Sequence, residues 1–172
     1  VEHKVSLISG VHDLLPNRVG GAALQKNLET LGDIQYTQEE IDFALELQRN
    51  NGKPEIGIDG KIRPLRETLD SPGGGSTDSG DVSYNVPVVS LAATTAPKGV
   101  PWHSWSVVAS SGMSIGHKGM LHAAKALGMT MVDIFKDGKL RENIKKEFDE
   151  KIGEYEYDPY LDPGPPPIDY VD

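Results

Sequence analysis

Cysteine is absent from the 172-residue chain. That excludes disulfides and thiolate metal sites, so a zinc ion here would need His, Asp or Glu ligands. Basic residues are scarce: 17 Lys and Arg against 26 Asp and Glu leave a formal net charge of -9. No Lys/Arg cluster is dense enough to form a nucleic-acid groove or grip an anionic membrane. The balance suits small-molecule substrates and metal cations. Apolar runs are short, and none spans a bilayer. No signal peptide is recognisable. The opening VEHKVSLISG lacks an initiator Met and starts in strand-like alternation, which predicts a chain beginning inside a longer protein. A cytoplasmic location is expected. Aromatics make up only 6% of residues, and there are two tryptophans. What remains is ordinary for one soluble domain: 37% hydrophobic and 25% charged residues, in a chain long enough to bury a core.

Periodicity divides the chain. Residues 3–9, HKVSLIS, alternate as a short strand. Asn17 can cap a helix over 18–32 that stops at Gly32. In 37–50, Thr37 and Glu40 form a capping box, and Ile41, Phe43, Ala44 and Leu45 make the buried stripe. Residues 51–84 are rich in Gly, Pro, Asp and Ser and read as a long irregular region. The β-branched run VPVVSLAATT (86–95) predicts a buried strand of a mixed or parallel sheet. A long helix over 114–138, capped by Ser114, has Gly and Ala positions that allow close packing on that sheet. An amphipathic helix follows over 140–154. The acidic, Pro-rich tail is extended and solvated, draped over the surface by its tyrosines.

Three places carry candidate chemistry. In GGGSTDSGD (73–81), glycines followed by hydroxyls let the backbone aim N–H groups at an anion. No Lys follows as in a nucleotide P-loop, and the same residues also suit a flexible surface loop with solvated carboxylates. Asp78 and Asp81 can orient metal ligands. In GVPWHSW (99–105), His103 sits between Trp102 and Trp105 after a turn, either presented to a ligand or wedged between indoles. No other recognisable ligand spacing completes a metal site around it. His117 and His122 lie five residues apart on the long helix, about 140° around it, so they cannot share an ion. His117, near the helix start, can reach a site at the N-terminus, where the macrodipole favours an anion; it equally suits an idle helix face. His3 and His12 read as bland.

The blocks GGGSTDSGDVSYNVPVVSLAATTAPKGVPWHSW and SIGHKGMLHAAKALGMTMVDIF resemble, in order and separation, a known family. It is the zinc-dependent aminoacylase/carboxypeptidase metallopeptidases, in the C-terminal part of their p-aminobenzoyl-glutamate hydrolase-like branch. LPNRVGGAALQKNLETLG and YTQEEIDFALELQ resemble the helices after that branch's lid domain, and the likeness covers about residues 1–168. It implies an α/β fold with a mixed central sheet flanked by helices. Residues 1–9 would end the lid strand, 10–154 belong to the catalytic domain, and 155–172 form the tail. It implies two divalent ions, zinc or manganese, and hydrolysis of an amide in an acyl- or aryl-amino acid. His103 would be the last metal ligand. Gly75, Ser76, Thr77 and Asp78 would meet the substrate or support the metal shell, with His117 at the site edge. The remaining ligands, the bridging carboxylate and the general base would lie in an N-terminal half absent from this chain. That half would be its partner, the lid would make a homodimer, and the chain alone would be inactive. The competing expectation is a non-catalytic module of the same ancestry that holds an anionic ligand in the Gly-rich loop.

Overall fold

The computed structural model describes residues 2–3, 5, 7–66, 75–161 and 164. Its elements are α1 (Arg18–Leu31), α2 (Gln38–Asn50), α3 (Ser79–Ser83), α4 (Trp105–Ser111), α5 (Ser114–Lys136) and α6 (Gly138–Ile152). Helix α5 is the centre, with α1, α4 and α6 packed against it and α1 also on α6. Ile115 and Ala126 of α5, Leu24 of α1 and Ile144 of α6 are buried between them.

The helix starts follow from local chemistry. The Asn17 side chain accepts from Gly20 N at 2.8 Å. Glu147 of α6 then takes two of the N–H groups left free at the start of α1, from Arg18 at 2.8 Å and Val19 at 2.7 Å. Thr37 and Glu40 form the expected capping box. Gly32, at φ 76°, ends α1. The cap of α5 differs from expectation: Met113 is the N-cap, and Ser114 is the first helical residue. Asp137, between α5 and α6, caps α6 through Leu140 N at 3.0 Å.

The mixed central sheet is not found. Among the described residues there is no strand, and a single parallel bridge joins Pro16 to Val88. Residues 3–9 are irregular where described, with Lys4 and Ser6 outside the described residues. Residues 86–95 run outside any strand with only that one bridge, mostly half-buried, because β propensity becomes a strand only when a neighbouring strand supplies the ladder. The glycines expected to seat a sheet seat this segment instead. A Cβ at Gly20 of α1 would strike the Val89 side chain, and one at Gly119 of α5 would fall on the Thr94 carbonyl oxygen. Thr94 Oγ1 also donates to the Asp59 carbonyl at 2.7 Å. Gly119→Ala is therefore expected to cost about 2–3 kcal/mol, since backbone rather than a flexible side chain must yield; urea unfolding checks it.

Helix α2 also departs from its expected stripe. Ala44 and Leu47 are buried, but so are Glu40 and Gln48, whereas Ile41, Phe43 and Leu45 are half-covered. Gln48 is fully buried and satisfied, accepting from Gly57 N at 2.8 Å and donating to the carbonyls of Gly57 and Lys98 at 2.9 Å each. It ties the irregular 51–60 region to the loop that carries His103.

One face of α5 is uncovered. Met120, Leu127, Met131 and Phe135 recur at helical spacing and are 41–75% exposed, with Leu121 and Val132 beside them. No helix among the described residues is long and apolar enough to cross a membrane.

Candidate functional site

The His103 loop is held from below and behind. Pro97 and Val100 are buried, and Ser106, the second residue of α4, is fully buried and receives the Asn51 amide at 2.7 Å. Gly99 turns the chain at φ 82°, and Trp102 and His103 then form a turn that the Ser104 hydroxyl closes onto the Pro101 carbonyl. Trp102 is 71% exposed, Trp105 is 59% exposed, and His103 itself is exposed. The indoles therefore do not bury the imidazole; all three side chains are displayed.

His103 has φ 59°, the one described non-glycine residue in the left-handed region. A β-carbon there is strained by about 1–2 kcal/mol, which Gly would avoid. The position thus keeps a side chain that neither packs nor relieves strain.

Trp102 also borders a cleft of about 820 Å³ running along residues 90–100 between α1 and the 59–66 segment. Leu24, Leu28, Ile62 and Leu91 contribute apolar wall, and Lys61, Arg63 and Lys98 contribute cationic groups. His122 faces this cleft, while His117 is exposed near the start of α5.

The Gly-rich loop is described only from Gly75 onward; Gly73 and Gly74 lie outside the described residues. Gly75, Ser76, Thr77 and Asp78 are exposed, with Gly75 at φ 122°. Thr77 Oγ1 accepts from Ser79 N at 3.2 Å, a local turn that leads into α3. Asp81 is half-buried and its carboxylate is taken up by protein groups. It accepts from His12 Nδ1 at 2.7 Å and from the Tyr157 hydroxyl at 3.1 Å, and the His12 bond holds its carboxyl below the usual range.

No hydrogen bond or ion pair joins the 75–78 loop, His103 and His117 to one another among the described residues. No three His, Asp or Glu side chains there lie close enough to hold one ion. His103 and His117 are both exposed but lie apart, and the described residues do not by themselves form a metal centre.

Of the two histidines read as bland, His12 is held by several distant side chains. His12 is buried and satisfied at both ring nitrogens, by Asp81 and by the Tyr155 hydroxyl at 2.8 Å. Tyr160 stacks on it at 4.4 Å, and Tyr84 and Tyr157 flank it at 5.0 and 5.2 Å. Its partners lie 69 and 143 residues away in sequence, so no local spacing could reveal the cluster.

The chain is similar to a hydrolase. More particularly, it is 34% identical over 157 residues to one of the subunits of the p-aminobenzoyl-glutamate hydrolase of Escherichia coli (strain K12). The match takes in 77% of this chain and 33% of that protein, so the chain spans about a third of its relative's length. The resemblance to this hydrolase is thereby found by direct comparison, and the share covered is consistent with a C-terminal part of it. No family model matches the chain, and no solved structure matches it.

Proposed function

We propose that this chain is the C-terminal part of a metal-dependent amidohydrolase acting on an aryl- or acyl-amino acid of the p-aminobenzoyl-glutamate kind. His103 provides one metal ligand, and the 75–78 loop provides substrate contacts. The observation that carries this reading is the display of His103: an exposed imidazole on a left-handed backbone, between two exposed indoles, in a chain related to an amide hydrolase. Trp102 and Trp105 offer flat apolar faces to an aryl group beside the ligand. His103 would be one of the residues holding a divalent ion, zinc or manganese, which when bound would acidify a water and polarise the amide carbonyl. The other ligands and the general base come from polypeptide outside this chain. The uncovered α5 stripe supports that incompleteness, because so much exposed apolar surface fits a second segment or subunit. The relative is itself named as one subunit of its hydrolase.

The test is to assay this chain alone, and joined to or co-expressed with the polypeptide matching the remaining two thirds of its relative. Release of p-aminobenzoate from p-aminobenzoyl-glutamate is followed with added Zn²⁺ or Mn²⁺. Turnover is expected only from the complete assembly, and only with metal. Metal-independent turnover by the chain alone, or none from the complete assembly, overturns the reading.

A further inference from the structure

The loop proposed to meet substrate leads directly into α3, a five-residue helix. One turn of helix has almost no stability of its own, so its place is set by what it docks on. It docks on residues 12–15. A Cβ at Gly80 would fall on the His12 carbonyl oxygen, the Leu15 N–H donates to Ser83 Oγ at 2.8 Å, and Asp81 Oδ1 receives both the backbone N–H and the ring of His12.

The ring is in turn held by the tail. A carboxylate only accepts, so Nδ1 carries the proton toward Asp81; in the neutral ring Nε2 then accepts from the Tyr155 hydroxyl. Tyr157 donates to the same Asp81 oxygen at 3.1 Å. Tyr160 lies flat on the imidazole and close over Gly10. Tyr84, next after α3, donates to Asp13 at 2.8 Å, which pushes its hydroxyl up to about 12. Three segments far apart in sequence thus meet at one buried histidine: the chain start, the helix that ends the substrate loop, and the tail.

We infer that His12, Asp81, Tyr155 and Tyr157 are positioning residues: the tail straps α3 in place through His12 and so sets the 75–78 loop. This rests on the functional reading for its link to substrate, but not for the strap itself. Each hydroxyl bond is weak in net terms, because water competes for the same groups. They act on a helix too short to hold itself, so the effect is local.

The test uses the complete protein with His12→Ala, His12→Asn and Tyr155→Phe/Tyr157→Phe. The Phe pair keeps the rings and removes only the hydroxyls, so it folds even if His12→Ala does not. Hydrogen exchange is measured over 76–83 and 153–161, and KM and kcat with the aryl-amide substrate. Exchange over 76–83 is expected to rise about tenfold in His12→Ala and several-fold in the Phe pair. KM should rise with kcat little changed. His12→Asn, whose amide can still donate to Asp81, recovers most of the protection. Faster exchange confined to 153–161 overturns the inference, as does a fall in kcat alone. If no variant, nor the parent, hydrolyses the substrate, the functional reading fails while the exchange result still decides the strap.

Discussion

Replacing His103 by alanine is expected to lower amide hydrolysis by the complete protein roughly 10³-fold, the scale of losing a charge-stabilising centre, and to leave the fold intact. The two halves of that expectation separate a ligand from a packing residue. His103 is exposed and has no resolved role in the core, so truncation removes no buried area. His103→Gly goes further: at φ 59° glycine is unstrained, and stability should rise by about 1 kcal/mol while activity is lost. Thermal unfolding and initial rates measure the two quantities independently. A destabilised His103→Gly protein, or one that keeps its rate, removes His103 from the site.

Lys118→Met is expected to destabilise the fold by about 3 kcal/mol, because it leaves a buried carboxylate without its cation. The Glu40 side chain is only 4% exposed, and Lys118 Nζ lies 2.6 Å from it. Burial pushes the Glu40 carboxyl up, but the Lys118 ammonium, the Ser114 hydroxyl and the Thr37 N–H together outweigh it and bring the group from 4.5 down to about 2. The sign follows: a carboxyl depressed in the folded state stabilises the fold above its unfolded value. That contribution is lost as pH falls from about 4.5 toward about 2. The Glu147 carboxyl is lowered too: burial raises it, but Lys151 and the Val19 and Arg18 N–H groups outweigh that, so it adds to the same acid loss. Urea unfolding of the parent should weaken steeply below pH 4.5, and Lys118→Met should flatten that dependence. An unchanged slope would separate the pair from acid sensitivity.

Both predictions concern the joint between α2 and α5 or the loop beside it, and this is where sequence and structure divide. The capping box at Thr37 and Glu40 was legible because its partners are three residues apart. The second task of Glu40, pairing with Lys118, was not, since the partner is 78 residues away. Gln48 and His12 were missed for the same reason: their spacing suggests nothing, and their partners, the Lys98 carbonyl for Gln48 and the Asp81 and Tyr155 side chains for His12, lie far along the chain.

By itself, the sequence determined what depends on near neighbours: the four longer helices, the Asn17 and Thr37 caps, the Gly32 stop, and the motif blocks that mark a relative of p-aminobenzoyl-glutamate hydrolase. The tertiary structure decided whatever needs a partner far along the chain. Residues 86–95 carry a strand's composition, yet a strand exists only through a neighbour's ladder, and among the described residues one bridge is all they find. His103 is displayed because Val100 and Ser106 anchor the loop beneath it. His12 is a hub because three distant segments bury it together.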